Sequence, residues 1–224
     1  MTMGWFAALR SEADPIWRGI HGHPFLAELS AGSLSLDRFR FLIRQDYPYL
    51  AEFSRVLALA VSRGGRLAEM AFFDDLLHAT LSSEMELHRS FCAELGIAPE
   101  DLESARLAPT AFAYTRHMLA VGALGTQAEI AVALLPCTVS YAEIGARLGR
   151  NPPAGAPHFA RWVAAYASEE YQAIASRLIA LVDGLDGRVS TEERARCREH
   201  FLVGSRYEWL FWDMAYRMED WPTF

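Results

Sequence analysis

The chain is predicted to be an all-α, single-domain helical bundle over residues 1–224. Three observations carry this expectation. Apolar residues recur at the three-and-four spacing of a helix face through nearly the whole sequence, and no run alternates with the two-residue period of a strand. The joints between helical stretches are short and rich in Gly, Pro or Asp, which leaves no room for an interdomain linker.

Taken in order, residues 2–21 read as helical, with a restart at Asp14-Pro15 and a break at His23-Pro24. A short piece, Phe25 to Leu29, ends at Ala31-Gly32. Ser35 is placed as the N-cap of a long helix from about Leu36 to Arg63, closed by Gly64-Gly65. One regular helix is expected over 66–95, with the stripe Leu67, Met70, Asp74, Leu77, Leu81, Glu84, His88, Phe91, Leu95. Gly96 closes it and Pro99 opens a short turn. Helices are then expected at about 110–123, 127–148, 156–184 and 191–218.

Composition narrows the function. Hydrophobic residues make up 52% of the chain, enough for a large core. The net charge of −7, with no basic run, argues against nucleic acid or anionic lipid as the main partner. Cys92, Cys137 and Cys197 are far apart and form no CxxC, so neither a zinc knuckle nor a disulfide framework is indicated. Met1 to Arg10 carries no targeting pattern, and no uninterrupted apolar run approaches the ~20 residues of a membrane helix. A soluble, cytoplasmic protein is the expectation.

Three helix faces carry a reactive residue among apolar ones: Asp46 between Ile43 and Tyr49, Cys137 between Leu134 and Tyr141, and Glu208 between Gly204 and Phe211. Turning a carboxylate inward costs free energy unless it is paired or used. Each residue has a plain alternative. Cys137 could be an inert core thiol, and Glu208 could pair with Arg206 or Arg217. The rings around Glu208 (Tyr207, Trp209, Phe211, Trp212, Tyr216) would instead raise its pKa and suit it to donate a proton. Pro48 and Pro136 lie inside helical patterns beside Asp46 and Cys137; such kinks either fit a bundle together or open a cavity. Tyr47, Tyr49, Tyr114, Tyr141, Tyr166 and Tyr207 suggest a slot for a flat polar ring, their hydroxyls needing partners. Glu84 and His88, with Asp74 on the same predicted face, hint at a metal, but other helices supply few further ligands, so structural hydrogen bonding is the expected role and no metal is assigned.

These segments together resemble the TenA family (thiaminase II, aminopyrimidine aminohydrolase), in its cysteine-containing class, from about Trp17 to Trp221. The blocks that carry the resemblance are His23-Pro24-Phe25, Asp37-Arg38-Phe39, Gln45-Asp46-Tyr47-Pro48-Tyr49-Leu50, Glu84-Met85-Glu86-Leu87-His88, Pro109 to Thr115, Leu134-Leu135-Pro136-Cys137 with Tyr141 to Gly145, and Tyr207 to Arg217. The resemblance implies a haem-oxygenase-like fold, a homotetramer and a cofactor-free hydrolase of thiamin salvage. Its substrate would be 4-amino-5-aminomethyl-2-methylpyrimidine, with thiamin as a second. It further implies Cys137 as nucleophile, Glu208 as proton donor, Asp46 on the amino edge, and Tyr49, Tyr114, Tyr141 and Tyr166 around the substrate. Thr138-Val139-Ser140 depart from the aromatic residues that often follow the family's cysteine, which points to a reshaped wall. The alternatives are a metal-dependent oxidase on the same fold and a pyrimidine-binding protein without catalysis.

Overall fold

The computed structural model describes residues 4–223, so residues 2 and 3 of the first expected helix lie outside the described residues. Twelve α-helices and no strand occur among them: α1 Trp5–Glu12, α2 Asp14–His21, α3 Pro24–Ser30, α4 Leu36–Ser62, α5 Leu67–Ala79, α6 Met85–Leu95, α7 Pro99–Glu103, α8 Pro109–Leu124, α9 Gln127–Leu148, α10 Pro157–Ala167, α11 Glu169–Leu185 and α12 Thr191–Arg217. The predicted caps are in place. The Ser35 hydroxyl accepts the Arg38 N–H at 3.4 Å, and Gly96 closes α6 in the left-handed conformation.

Helix α9 is the axis of the bundle, packing against α12, α10 and α11, while α4 packs on α5, α6 and α8. By length and mean hydropathy α9 alone among the described helices is apolar enough to cross a bilayer, although polar and charged residues such as Glu129, Ser140 and Glu143 interrupt its apolar run. Its apolarity has another cause: 89% of that window is buried inside the protein, because neighbours cover it on nearly every side.

Two expected helices are divided. Within 66–95, a π-helical turn at Thr80–Glu84 separates α5 from α6. The widened turn inserts extra chain and rotates the faces relative to each other. Leu67 and Leu81 are therefore exposed (81% and 52%), Asp74 faces solvent, and Phe72, Phe73, Leu76 and Thr80 form the buried side instead. Within 156–184, the chain turns at Ser168, whose extended backbone and hydroxyl cap α11 by accepting the Tyr171 N–H at 3.2 Å. The Gln172 side-chain amide then donates to the carbonyls of Tyr166 and Ala142 at 2.8 and 2.9 Å, tying the break to α9.

Close helix contacts fix the interior. A Cβ on Gly204 would stand 2.9 Å from Cγ of Pro136, so α12 rests directly on the proline of α9. Cys137, the next residue of α9, and Glu208, one turn beyond Gly204, are thereby held beside the same space. Gly145 touches the Tyr166 main chain, and a Cβ there would overlap its carbonyl group. Gly145→Ala is expected to destabilise the fold by about 2–3 kcal/mol, read as a Tm lowered by roughly 5–10 °C in thermal unfolding. An unchanged Tm would show that this contact relaxes without strain.

Candidate active site

Asp46, Tyr49, Leu50, Glu84, Cys137, Tyr141, Tyr166, Tyr171, Glu208 and Phe211 surround one interior cavity. The three stripes singled out in the sequence thus meet, from α4, α9 and α12. Asp46 and Glu208 are buried at 4% and 2% exposure, and Cys137 is half-buried at the cavity wall.

Among the described residues Glu208 has no arginine partner. Arg217 pairs with Asp213 at 3.0 Å, and Arg206 is exposed. The carboxylate instead accepts the Tyr114 hydroxyl on Oε1 at 2.7 Å and the Ser140 hydroxyl on Oε2 at 3.2 Å. Burial pushes its pKa up to about 7 against the pull of these two donors. Near neutrality the group is therefore poised between its acid and base forms. Tyr114 sits behind Glu208 rather than on the cavity wall, stacked on Tyr207 with ring centroids 5.0 Å apart.

The Cys137 thiol is held well above its ordinary pKa, first by burial and then by the neighbouring Glu208 charge; the nearby Tyr49 hydroxyl, which donates to Met118 Sδ at 3.7 Å, opposes the rise. It is a thiol in the resting site and must lose its proton as it reacts. Burial also keeps Tyr49, Tyr141, Tyr166 and Tyr171 protonated, so they remain donors. Tyr141 lies 4.9 Å from Tyr166 and 5.2 Å from Trp212, centroid to centroid, and these contacts fix its ring at the cavity edge. Tyr47 points elsewhere, its hydroxyl donating to Glu103.

Asp46 is joined to a residue that periodicity alone left in a structural role. His88 Nε2 lies 3.4 Å from Asp46 Oδ2, and His88 Nδ1 lies 2.9 Å from the Glu84 main-chain oxygen. A carbonyl only accepts, so Nδ1 carries a hydrogen, and a further proton belongs between Nε2 and the carboxylate. Burial raises the Asp46 pKa despite His88. It works to lower that of His88, but Asp46 and the Glu84 carbonyl outweigh it and the net shift is upward. The pair therefore shares a proton and keeps Asp46 turned inward. Ser140, Tyr171, Glu84 and His88 are polar site residues that the sequence reading did not assign, and Leu50 and Phe211 are apolar ones. Ser140 belongs to the departing Thr138–Ser140 segment, where it supports Glu208. Asp74, expected beside Glu84 and His88, is exposed across the π turn; among the described residues no three His, Cys, Asp or Glu side chains gather as a metal-binding group.

The inner cavity is small, about 20 Å³, room for one water-sized molecule. A second cavity of about 250 Å³ lies outside it, lined by Leu76, Thr80, Leu87 and Ile174 among others. Glu84, Tyr166 and Tyr171 line both, so the two cavities adjoin at these residues.

The chain is similar over nearly its whole length to proteins with the same arrangement of helices. It is 41% identical to an aminopyrimidine aminohydrolase of Halalkalibacterium halodurans, covering 98% of each chain. It is 35% identical to one from Bacillus subtilis, covering 95% of this chain and 89% of that one. Among solved structures, a TenA homologue protein from P. horikoshii OT3 superposes with a TM-score of 0.87 at 31% identity, covering 96% and 99% of the two chains. A domain from Shewanella denitrificans with a heme oxygenase-like fold superposes with a TM-score of 0.74 at 14% identity, covering 95% and 92%, which shows likeness of fold alone. With the family profile described as TENA/THI-4/PQQC matching residues 10–218, from α1 to the end of α12, the chain belongs to that family.

Proposed function

We propose that this protein is an aminopyrimidine aminohydrolase, which converts 4-amino-5-aminomethyl-2-methylpyrimidine and water to the hydroxymethyl pyrimidine and ammonia. The observation that carries this reading is the convergence of one thiol and two buried carboxyls, one with its pKa raised to about 7, in an aromatic-walled cavity. The names of the curated relatives support it.

The chemistry assigns a task to each group. Glu208 donates a proton to the ring nitrogen next to the carbon that Cys137 attacks. The thiol proton passes to the Asp46–His88 pair as the sulfur–carbon bond forms. Addition breaks aromaticity and leaves an enamine whose electrons, pushed from the ring amino group, expel the protonated amine from the exocyclic methylene. Water adds to that methylene and loses a proton. The sulfur–carbon bond then breaks, the Asp46–His88 pair returns its proton to the departing thiolate, the ring nitrogen returns its proton to Glu208, and aromaticity is restored. Asp46 holds the amino edge throughout, while Tyr49 and Tyr141 bracket the ring and the thiol, and Tyr166 contributes its hydroxyl at the rim.

The same proposal includes cleavage of thiamin at the equivalent bond, a cytoplasmic location and a homotetramer. Exposed Phe112, Leu124 and Leu210 supply apolar surface of the kind subunit contacts cover. Incubating the purified protein with the aminomethyl pyrimidine should yield equimolar ammonium and hydroxymethyl pyrimidine, without added cofactor. Unchanged substrate would overturn the reading.

Tyr114→Phe tests the support behind Glu208. Loss of a donor that favours the carboxylate raises the Glu208 pKa further, so the alkaline limb of kcat/KM is expected to move to higher pH while the plateau falls by about tenfold. A limb at the wild-type position would separate Tyr114 from proton donation.

A further inference from the structure

We propose that Glu84 receives the positively charged arm of the substrate, and that it thereby selects an ammonium leaving group over a thiazolium one. This inference rests on the aminopyrimidine reading and assigns a residue to the part of the substrate that departs.

The placement of Glu84 carries it. It ends the π-helical turn and faces both the inner cavity and the outer vestibule, so its carboxylate stands where an arm on the ring would point outward. Among the described residues its side chain has one hydrogen-bond partner, the Tyr166 hydroxyl at 3.3 Å, and no ion pair. Glu69 and Glu129, the two buried glutamates away from the cavity, each bind an arginine: Arg188 at 2.6 Å and Arg196 at 2.5 Å. Glu84 is thus a half-buried carboxylate at the junction of the two cavities that no arginine or lysine pairs among the described residues, and a cationic group on a ligand would find it free to pair.

Chemical adjacency points the same way. In the substrate the amino group and the aminomethyl arm occupy neighbouring ring carbons, and the carbon attacked by sulfur follows next. In the protein, Asp46 and Glu84 are linked through one residue, His88, which meets the Asp46 carboxylate with Nε2 and the Glu84 carbonyl with Nδ1. Both carboxylates and Cys137 border the same cavity. With the amino edge on Asp46 and the reacting carbon at Cys137, the arm between them falls to Glu84. An ammonium offers N–H donors to a carboxylate; a thiazolium spreads its charge over a ring with no N–H and must extend into the apolar vestibule.

Binding and turnover distinguish the claim. Glu84→Gln keeps an oxygen for the Tyr166 hydroxyl and removes the charge. In a Cys137→Ser background, which binds without turnover, Glu84→Gln is expected to weaken binding of the aminomethyl pyrimidine by about 30-fold, the size of a lost charge-assisted hydrogen bond. Binding of the neutral hydroxymethyl pyrimidine should change less than about threefold under the same principle. With Cys137 intact, Glu84→Gln should lower kcat/KM for the aminomethyl substrate far more than for thiamin. Equal losses for charged and neutral ligands, or no loss for either, would overturn the role of Glu84 while leaving the hydrolase reading intact. A wild-type protein that turns over neither substrate would instead overturn the hydrolase reading.

Discussion

Cys137→Ser is expected to abolish ammonium release, by roughly 10⁴-fold or more, while the protein remains folded. The thiol is unusual in already being hard to ionise: burial and the Glu208 charge both hold it protonated. A serine hydroxyl in the same field ionises far less readily and makes a poorer nucleophile toward a ring carbon. The exchange of sulfur for oxygen at a half-buried position with polar neighbours should cost about 1 kcal/mol of stability or less. Circular dichroism and thermal unfolding would establish the fold, and a discontinuous ammonium assay the rate. A folded variant with near-normal turnover would remove Cys137 from the mechanism.

Glu208→Gln is the second large effect, and it has opposite signs for activity and stability. Loss of the proton donor should lower kcat/KM by about 10²–10⁴-fold. In the wild type, protonated Glu208 is the active form, so kcat/KM should fall tenfold per pH unit above about 7. The stability effect follows from the same raised pKa. Below pH 4.5 the carboxyl is neutral both folded and unfolded, and burial costs no charge. Between pH 4.5 and about 7 the unfolded chain ionises while the folded one holds its proton, so the wild type loses up to about 3 kcal/mol. The neutral glutamine escapes that loss. Glu208→Gln should therefore unfold at a higher temperature than the wild type at pH 8 and at nearly the same temperature at pH 4. A Tm difference independent of pH would place the effect elsewhere.

The legibility of this site follows the range of the interactions that build it. Asp46 and Glu208 were visible because each breaks an apolar stripe of a single helix, and a stripe is a local property. The apolar stripe that Asp46 interrupts on α4 (Phe39, Leu42, Ile43, Tyr49, Leu50, Phe53, Leu57 and Ala60) is buried throughout, as periodicity requires. Partners that join distant helices were not visible in the same way. His88 meets Asp46 across 42 positions and Ser140 meets Glu208 across 68, and nothing in either local pattern fixes those pairings. The π turn was hidden because Leu77, Leu81, Glu84 and His88 keep a regular helical spacing in the sequence. In the structure the buried positions step by three or four through Phe73, Leu76 and Thr80, then by five to Met85, a gap that an α-helix cannot keep on one face. The break at Ser168 was written locally, as a serine followed by Glu169 and Glu170, the cap and acidic first turn of a new helix.

The most direct test of the proposed addition to the ring is isotope exchange into the product. Hydroxymethyl pyrimidine is incubated with the protein in water enriched in heavy oxygen, and the pyrimidine is recovered and weighed by mass spectrometry. Microscopic reversibility requires that Cys137 add to the product ring and release its hydroxyl oxygen through the same exocyclic methylene that the forward reaction forms. The expected result is label in the pyrimidine with the wild type and none with Cys137→Ser. A wild-type protein that releases ammonium from the aminomethyl substrate yet leaves the product unlabelled would contradict addition and point to direct displacement by water.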